Sequence, residues 1–119
     1  MHDPSAPQQL VAHTIALEAA GCALQLAAGV PPRLRCLADQ LVRAASSVPA
    51  NLSEGHGRSG RDRMHHYRIA YASAKETDSH LRLLAAARAV EPEGLSAALE
   101  LFDRVRAMTW RLVHPQPRR

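Results

Sequence analysis

An apolar stripe that runs through a proline constrains the fold of this chain most strongly. Between residues 34 and 52, apolar side chains recur at spacings of three and four, which is one face of an α-helix. Pro49 lies on this stripe, where a proline removes one backbone donor and clashes with the carbonyl four residues earlier. We therefore expect the helix to kink near Ala45 or to break before Pro49. Gly55 and Gly57 are expected to end it, one of them in a left-handed conformation.

Three further segments follow a helical pattern. The first is expected to run from a Ser5 cap to about Ala28, because glycine and prolines follow there. Leu10, Ile15, Leu17, Leu24 and Leu26 carry its apolar pattern. The third helix is expected over residues 61–90, with Ser59 as its N-cap. Pro92 is expected to open the fourth, because proline is favoured at the first helical position.

Four helices with short connections predict an all-α fold, an antiparallel up-down-up-down four-helix bundle with its second helix kinked near Pro49. The composition agrees, because 46% of residues are hydrophobic and only 3% are aromatic. We expect one domain over residues 7–114, a disordered segment over residues 1–6 and a loose basic tail over residues 115–119.

The remaining composition bears on location. No uninterrupted run of eighteen apolar residues is present. The N-terminus has the acidic residue Asp3 and no lysine- or arginine-rich n-region, unlike a secretory signal. We expect no membrane contact and a cytoplasmic location. Cys22 and Cys36 lie in different predicted helices and are expected to be small buried residues and not a disulfide.

Positive charge is concentrated in the middle of the chain. The formal net charge is +4, and residues 33–68 hold seven arginines against three acidic residues, an excess of the same size. Such a cluster attracts nucleic acid or an acidic partner. The candidate nucleic-acid-binding residues are Arg43, Arg58, Arg61, Arg63 and Arg68. The alternative is a solvated, arginine-rich face without a partner.

A polar cluster follows Pro49. Asn51 and Glu54 are three residues apart, hence on one helix face, and Arg58 is within reach across the turn. These residues, with Gly55, predict either a contact site for a partner or an internal network that ties the second helix to the third. Two further candidates share this ambiguity: Pro49 shapes either a simple bend or a site, and Glu76 lies either on a solvated face or in an inter-helix pair.

No pattern for catalysis is present. The chain lacks the nucleotide-binding P-loop, the G-x-S-x-G nucleophile motif and paired cysteine or histidine zinc spacings. Asp62 and His65 approximate the spacing of one Glu-x-x-His ligand pair, of which a di-iron bundle uses two. They form a lone half-site, and they lie among arginines. We expect neither an enzyme nor a metal or other cofactor.

The segments RAASSVPANLSEGHGR and RIAYASAKETDSHL resemble a known family, the 23S rRNA-intervening-sequence proteins. Its pattern matches this chain well over residues 30–84. The resemblance implies a four-helix bundle that assembles as a homopentamer. Related bundle proteins are the accessory variability determinants of diversity-generating retroelements, which implies RNA or DNA and a protein such as a reverse transcriptase as partners.

Two functions follow from these observations. The first is a non-enzymatic, homo-oligomeric assembly or accessory factor whose basic surface binds the nucleic-acid backbone with little sequence preference, since aromatic residues for base stacking are few. The alternative is a protein-interaction scaffold whose basic patch meets an acidic partner or a neighbouring subunit.

Overall fold

Four helices make up almost all of the structure. The computed structural model describes the backbone of residues 6–116 and the side chains of residues 8–116. The helices are α1 (Ala6–Ala28), α2 (Arg35–His56), α3 (Gly60–Ala86) and α4 (Pro92–Val113), and a 3₁₀ turn (Pro32–Leu34) precedes α2. They form an antiparallel bundle of 51 × 22 × 18 Å. The all-α four-helix prediction is confirmed.

Each helix packs against its neighbours along the chain, and α4 closes the ring against α1. Helices α1 and α3 therefore lie at opposite corners of the bundle. The outer face of one points away from the outer face of the other. The outer faces of α1 and α3 are therefore two separate surfaces of the bundle.

The core is built from side chains of unequal size. Large buried residues come from α2, α3 and α4: Leu41, Val48, Tyr67, Leu81, Leu84, Phe102 and Val105. Helix α1 contributes small ones, because Ala12, Ala16, Ala19 and Ala23 are fully buried. Three leucines of the apolar pattern that predicted α1 point outward: Leu10, Leu17 and Leu24 are 67%, 54% and 42% exposed. Alanine lines the inner face of α1 because its small side chain lets neighbouring helices approach closely.

Helix α2 continues through Pro49, so the alternative in which it stops before this residue is wrong. A bend at Pro49 stays a prediction. The predicted left-handed glycine is neither of the two proposed: Gly55 is helical and Gly57 has φ −80°. The positive φ, +59°, belongs to Gly60. The chain reverses there, after the helix has already ended.

The ends of α3 also differ from the prediction. Ser59 occupies the N-cap position, but its side chain makes no capping hydrogen bond. The helix ends at Ala86, four residues before the predicted Val90. Arg88 follows with φ +55°, and the Arg88 and Ala89 amides donate to the Ala85 and Leu84 carbonyls, 2.9 Å each. This is a Schellman end, whose left-handed position glycine normally occupies.

Two predictions on α1 and the termini need qualification. Within the described residues, the Gln8–Ala28 segment is long and apolar enough to span a membrane by length and composition alone, a test that core helices and signal segments also pass. Both cysteines are free, and Cys22 is partly buried, but Cys36 is exposed, so the prediction of a buried residue is wrong for Cys36. The predictions of a disordered N-terminus and a Ser5 cap concern residues outside those described, as does the tail after residue 116.

Candidate functional site

A line of cations runs along the outer face of α3. Arg61, Arg68, Lys75 and Arg82 follow one another at intervals of seven residues, and all four are exposed. The exposed residues between them on this stripe are His65, Ala72 and Ser79, so no acidic side chain interrupts it. Seven residues of helix rise about 10.5 Å, and the stripe is therefore about 32 Å long. We call these four cations the α3 ridge.

The ridge cations have different surroundings. Within residues 6–116, Arg61 and Arg68 make no ion pair. The Lys75 ammonium lies 5.7 Å from the centre of the Tyr71 ring. Arg82 donates to Asp78 at 2.9 Å, and this hydrogen bond, followed by the negative charge of Asp78, raises the pKa of Arg82. With 64% of its side chain exposed, Arg82 remains an accessible cation.

Two of the five predicted arginines contact other residues of the chain around the α2–α3 turn, although the Arg58 side chain is 47% exposed. Arg58 lies between Glu54 and Asp62, at 3.4 and 3.6 Å. Arg63 donates from Nε to the carbonyls of Arg58 and Gly55, at 2.8 and 3.1 Å, and from Nη2 to that of His56, at 3.2 Å. Arg63 therefore satisfies carbonyls at the C-terminal end of α2, where backbone acceptors lack helical partners.

The other three predicted arginines are exposed, but they do not form one cluster. Arg61 and Arg68 belong to the ridge. Arg43 is also exposed, but it lies on α2 and not on α3. The predicted basic cluster therefore divides into a ridge on α3, a structural pair at the α2–α3 turn and an isolated residue on α2.

Asn51 belongs to an internal network that joins α2 to α3. Its Nδ2 donates to the Ser47 carbonyl and to Ser47 Oγ, at 2.9 and 3.0 Å. Ser73 Oγ of α3 donates to Ser47 Oγ at 3.0 Å. His66 Nδ1 lies 3.0 Å from Asn51 Oδ1, and it is the donor when it carries the proton. All four residues are partly buried, so the network orients α3 against α2.

Gly55 and Pro49 are buried within α2, and both act in packing. A Cβ at Gly55 would lie 2.6 and 2.7 Å from two ring carbons of Tyr67, so only glycine leaves room for this aromatic side chain. Ser46 donates to the Val42 and Arg43 carbonyls, at 2.7 and 3.2 Å, and not to the Ala45 carbonyl that Pro49 leaves free.

Glu76 and its neighbours lie on the outside of α3. The Glu76 carboxylate is 3.0 Å from His80 Nε2, one helical turn away. This is an intrahelical contact on the solvated side, and the predicted inter-helix pair is wrong. Among the described residues, no group of three histidine, cysteine or acidic side chains is placed to hold a metal ion.

Sequence reasoning missed Lys75 and Arg82 in the ridge, and Ser47, His66 and Ser73 in the network. The ridge carried a signal, because its four cations recur at seven-residue intervals along a helix that was predicted. The spacing of four between Glu54, Arg58 and Asp62 similarly indicated that Arg58 is paired. Contacts between α2 and α3 carried no such signal, because they depend on how the two helices are aligned.

Comparison with known proteins assigns the family. A model of the 23S rRNA-intervening sequence proteins matches residues 10–111. The chain belongs to this family. The similarity extends over all four helices, and the resemblance noted over residues 30–84 is confirmed. No curated protein matches this sequence.

A solved structure has the same fold. The crystal structure of a protein of unknown function from the S23 ribosomal protein family of Bacteroides thetaiotaomicron VPI-5482, at 1.70 Å resolution, superposes with a TM-score of 0.81. The match covers 90% of this chain and 98% of that one, at 20% sequence identity. At this identity the likeness concerns the fold alone.

Proposed function

We propose that this chain is a non-enzymatic, homo-oligomeric accessory protein that binds the phosphate backbone of nucleic acid through the α3 ridge, with little sequence preference. One observation carries the proposal, namely four exposed cations in register on one helix, with His65, Ala72 and Ser79 and no acidic residue at the stripe positions between them. Lysine and arginine that neutralise phosphates supply most of the affinity in sequence-independent binding.

The length of the ridge suits a duplex. Its span of about 32 Å is close to one turn of double helix, about 34–36 Å. Arg61 and Arg68 are free to turn towards phosphates because no ion pair within the described residues holds them. A straight ridge of this length can reach phosphates about one turn apart without bending the nucleic acid.

The position of the aromatic residues favours backbone contacts over base stacking. Trp110, 46% exposed, lies on α4 and stacks on His114 with ring centres 4.2 Å apart. Tyr71, on α3, faces Lys75 and is only partly exposed. Trp110 lies away from the ridge, and Tyr71 lies beside the ridge cation Lys75 but is only partly exposed, whereas proteins that bind unpaired bases use accessible stacking platforms beside their cations.

Assembly would multiply this surface. The family resemblance suggests five copies, and five ridges would bind one nucleic acid more tightly than one ridge does. A protein that handles nucleic acid, such as a reverse transcriptase, is the partner class that the same resemblance suggests. An acidic protein surface in place of nucleic acid is the competing occupant of the ridge.

The test is fluorescence anisotropy of labelled RNA and DNA duplexes, titrated at several salt concentrations. The ridge variant is Arg61→Gln/Arg68→Gln/Lys75→Gln. The control is Arg33→Gln/Arg35→Gln/Arg104→Gln, which removes the same charge from exposed arginines outside the ridge. On duplex DNA, we expect the ridge variant to flatten the slope of log K against log salt by about 2.7, or about 0.9 for each lost phosphate contact.

The control should keep most of the wild-type slope. Equal losses in both variants would show that net charge alone governs binding and would overturn the ridge. A folded wild type that fails to bind either duplex at low salt would refute nucleic-acid binding. Binding of polyglutamate, weakened by the ridge substitutions, would then favour the scaffold.

A further inference from the structure

The stripe of the α3 ridge contains a titratable side chain. His65 lies between Arg61 and Arg68, four residues after the first and three before the second. All three side chains are exposed, and these spacings place them on one face of the helix. Four residues of helix rise about 6 Å and three rise about 4.5 Å. His65 therefore stands inside the interval of about 10.5 Å that separates the two arginines.

The His65 ring is not engaged by the fold. Within the described residues it makes no hydrogen bond and no ion pair, and the ring beside it is His66, edge-on with the two centres 5.4 Å apart. His66 differs, because its Nδ1 lies 3.0 Å from Asn51 Oδ1 in the network between α2 and α3. Of these two adjacent histidines, one joins the helices, and the other keeps both ring nitrogens available to an external partner.

The acidic groups near His65 already have partners. The charged and titratable groups that face this end of α3 come from α2, from α3 itself and from α4, and they are Glu54, Arg58, Asp62, His66, Arg111 and His114. Arg58 engages both carboxylates, Glu54 at 3.4 Å and Asp62 at 3.6 Å. His114 stacks on Trp110. A protonated His65 would therefore have two arginines on its stripe and no acidic partner among the described residues.

We infer that His65 is a fifth phosphate contact of the α3 ridge, and that protonation of its ring switches this contact on. The inference rests on the proposed binding to the nucleic-acid backbone and adds a dependence on pH. A neutral imidazole offers one N–H donor and no charge, whereas an imidazolium offers two donors and a positive charge. Histidine side chains gain this charge between about pH 8 and pH 5.

A duplex supplies the negative charge that His65 lacks in its own chain. Double-stranded DNA carries one phosphate for about every 1.7 Å of its axis, so the interval between Arg61 and Arg68 spans more phosphates than two arginines can neutralise. A neighbouring phosphate favours the charged form of an imidazole. Binding therefore takes up a proton, and by linkage the affinity is highest below the titration range of histidine and falls as the pH rises through it.

The experiment repeats the anisotropy titrations of duplex DNA with the full chain at about pH 5.5 and about pH 8. For the wild type, we expect the slope of log K against log salt to be steeper by about 0.9 at the lower pH, the value of one further phosphate contact. In about 0.1 M salt this corresponds to an affinity higher by roughly five- to tenfold. Circular dichroism at both pH values checks that the bundle is folded.

Two substitutions of His65 separate its charge from its shape. His65→Gln keeps a polar side chain without a charge, so it should bind at both pH values as the wild type does at pH 8. His65→Lys is charged at both, so it should bind at both as the wild type does at pH 5.5. The control is His114→Gln, which removes an exposed histidine of α4 outside the ridge and should keep the wild-type pH dependence.

Moving the histidine by one repeat tests whether the stripe or the nearby turn is responsible. Ala72 is exposed, with Arg68 four residues before it and Lys75 three residues after it, as His65 has its two arginines. The double variant His65→Gln/Ala72→His should regain the pH dependence that His65→Gln loses. A double variant that stays insensitive to pH would tie the effect to the α2–α3 turn and overturn the inference.

The other outcomes separate this inference from the proposed function. If the wild type binds equally at both pH values, or if His65→Gln keeps the full pH dependence, the inference is wrong while the ridge stands. If the folded wild type binds no duplex at either pH, the ridge and the inference fail together. Loss of the pH dependence in His65→Gln, with equally tight binding of His65→Lys at both pH values, supports the inference.

Discussion

Helices α1 and α3 occupy opposite corners of the same bundle, and their outer faces differ in chemistry. Both present a seven-residue repeat to the outside, leucines on α1 and cations on α3. Inside, α1 packs through alanines, whereas α3 buries Tyr67, Leu81 and Leu84. The comparison shows that one packing geometry can support two unlike surfaces, because the spacing sets which residues share a face and the side chains set the chemistry of that face.

The two helices are also held differently. Helix α3 is tied to α2 by Arg63, by the Asn51 network and by the fit of Tyr67 against Gly55. Helix α1 presents mainly methyl groups to its neighbours, with a polar contact between Gln9 and His56. Alanine buries little apolar area, so burial holds α1 in the bundle less firmly than it holds α3.

The largest effect on this comparison is expected from Gly55→Ala, which attacks the junction that positions α3. Its Cβ would overlap the buried Tyr67 ring, and we expect the free energy of unfolding to fall by about 1–3 kcal/mol. Chemical denaturation measures the change. Gly57→Ala is the control, because its nearest atoms are 3.7 Å away. Equal stability of the two variants would show that Gly55 does not set the spacing of α2 and α3.

A smaller loss is expected from Asn51→Ala. It leaves Ser47 and His66 without a shared partner in a partly buried site, which costs about 1–2 kcal/mol. Ser53→Ala removes an exposed hydroxyl from the same helix and should change stability little. Denaturant titrations of both would contradict the network if Asn51→Ala were as stable as Ser53→Ala.

Arg88→Gly should act in the other direction and stabilise the end of α3. At φ +55° an arginine is strained and a glycine is not, so a gain of about 1 kcal/mol is expected. Arg88→Ala removes the same charge but keeps the Cβ. A thermal melt in which both variants shift alike would assign the effect to charge and not to backbone conformation.

Much of the fold was accessible from the sequence. The four helices follow from their apolar spacing, and Pro92 marks the start of α4 as predicted. The sequence did not predict which face of α1 packs into the core. Both faces of this helix are apolar, so periodicity cannot tell which one turns inward. The left-handed glycine is Gly60 and not Gly55, because α2 continues beyond Gly55. At Gly55, glycine is required by the neighbouring Tyr67 ring and not by a turn.

The site was accessible in part. Arg61 and Arg68 were among the predicted cations, and both lie on the ridge. Arg58 and Arg63 were predicted with them, but the turn between α2 and α3 engages both in contacts within the chain. The excess of arginines in the sequence identified residues 33–68 as basic. The helix geometry was needed to show which of these arginines lie on the α3 ridge.

Fluorescence-detected sedimentation of a labelled duplex tests the role of the α3 ridge most directly, since it reports assembly and binding together. The wild type should carry the duplex in a large complex. The ridge variant, Arg61→Gln/Arg68→Gln/Lys75→Gln, should assemble and leave the duplex free. The control, Arg33→Gln/Arg35→Gln/Arg104→Gln, should assemble and still carry the duplex. A ridge variant that still carried the duplex, or a control that lost it to the same extent, would contradict the account.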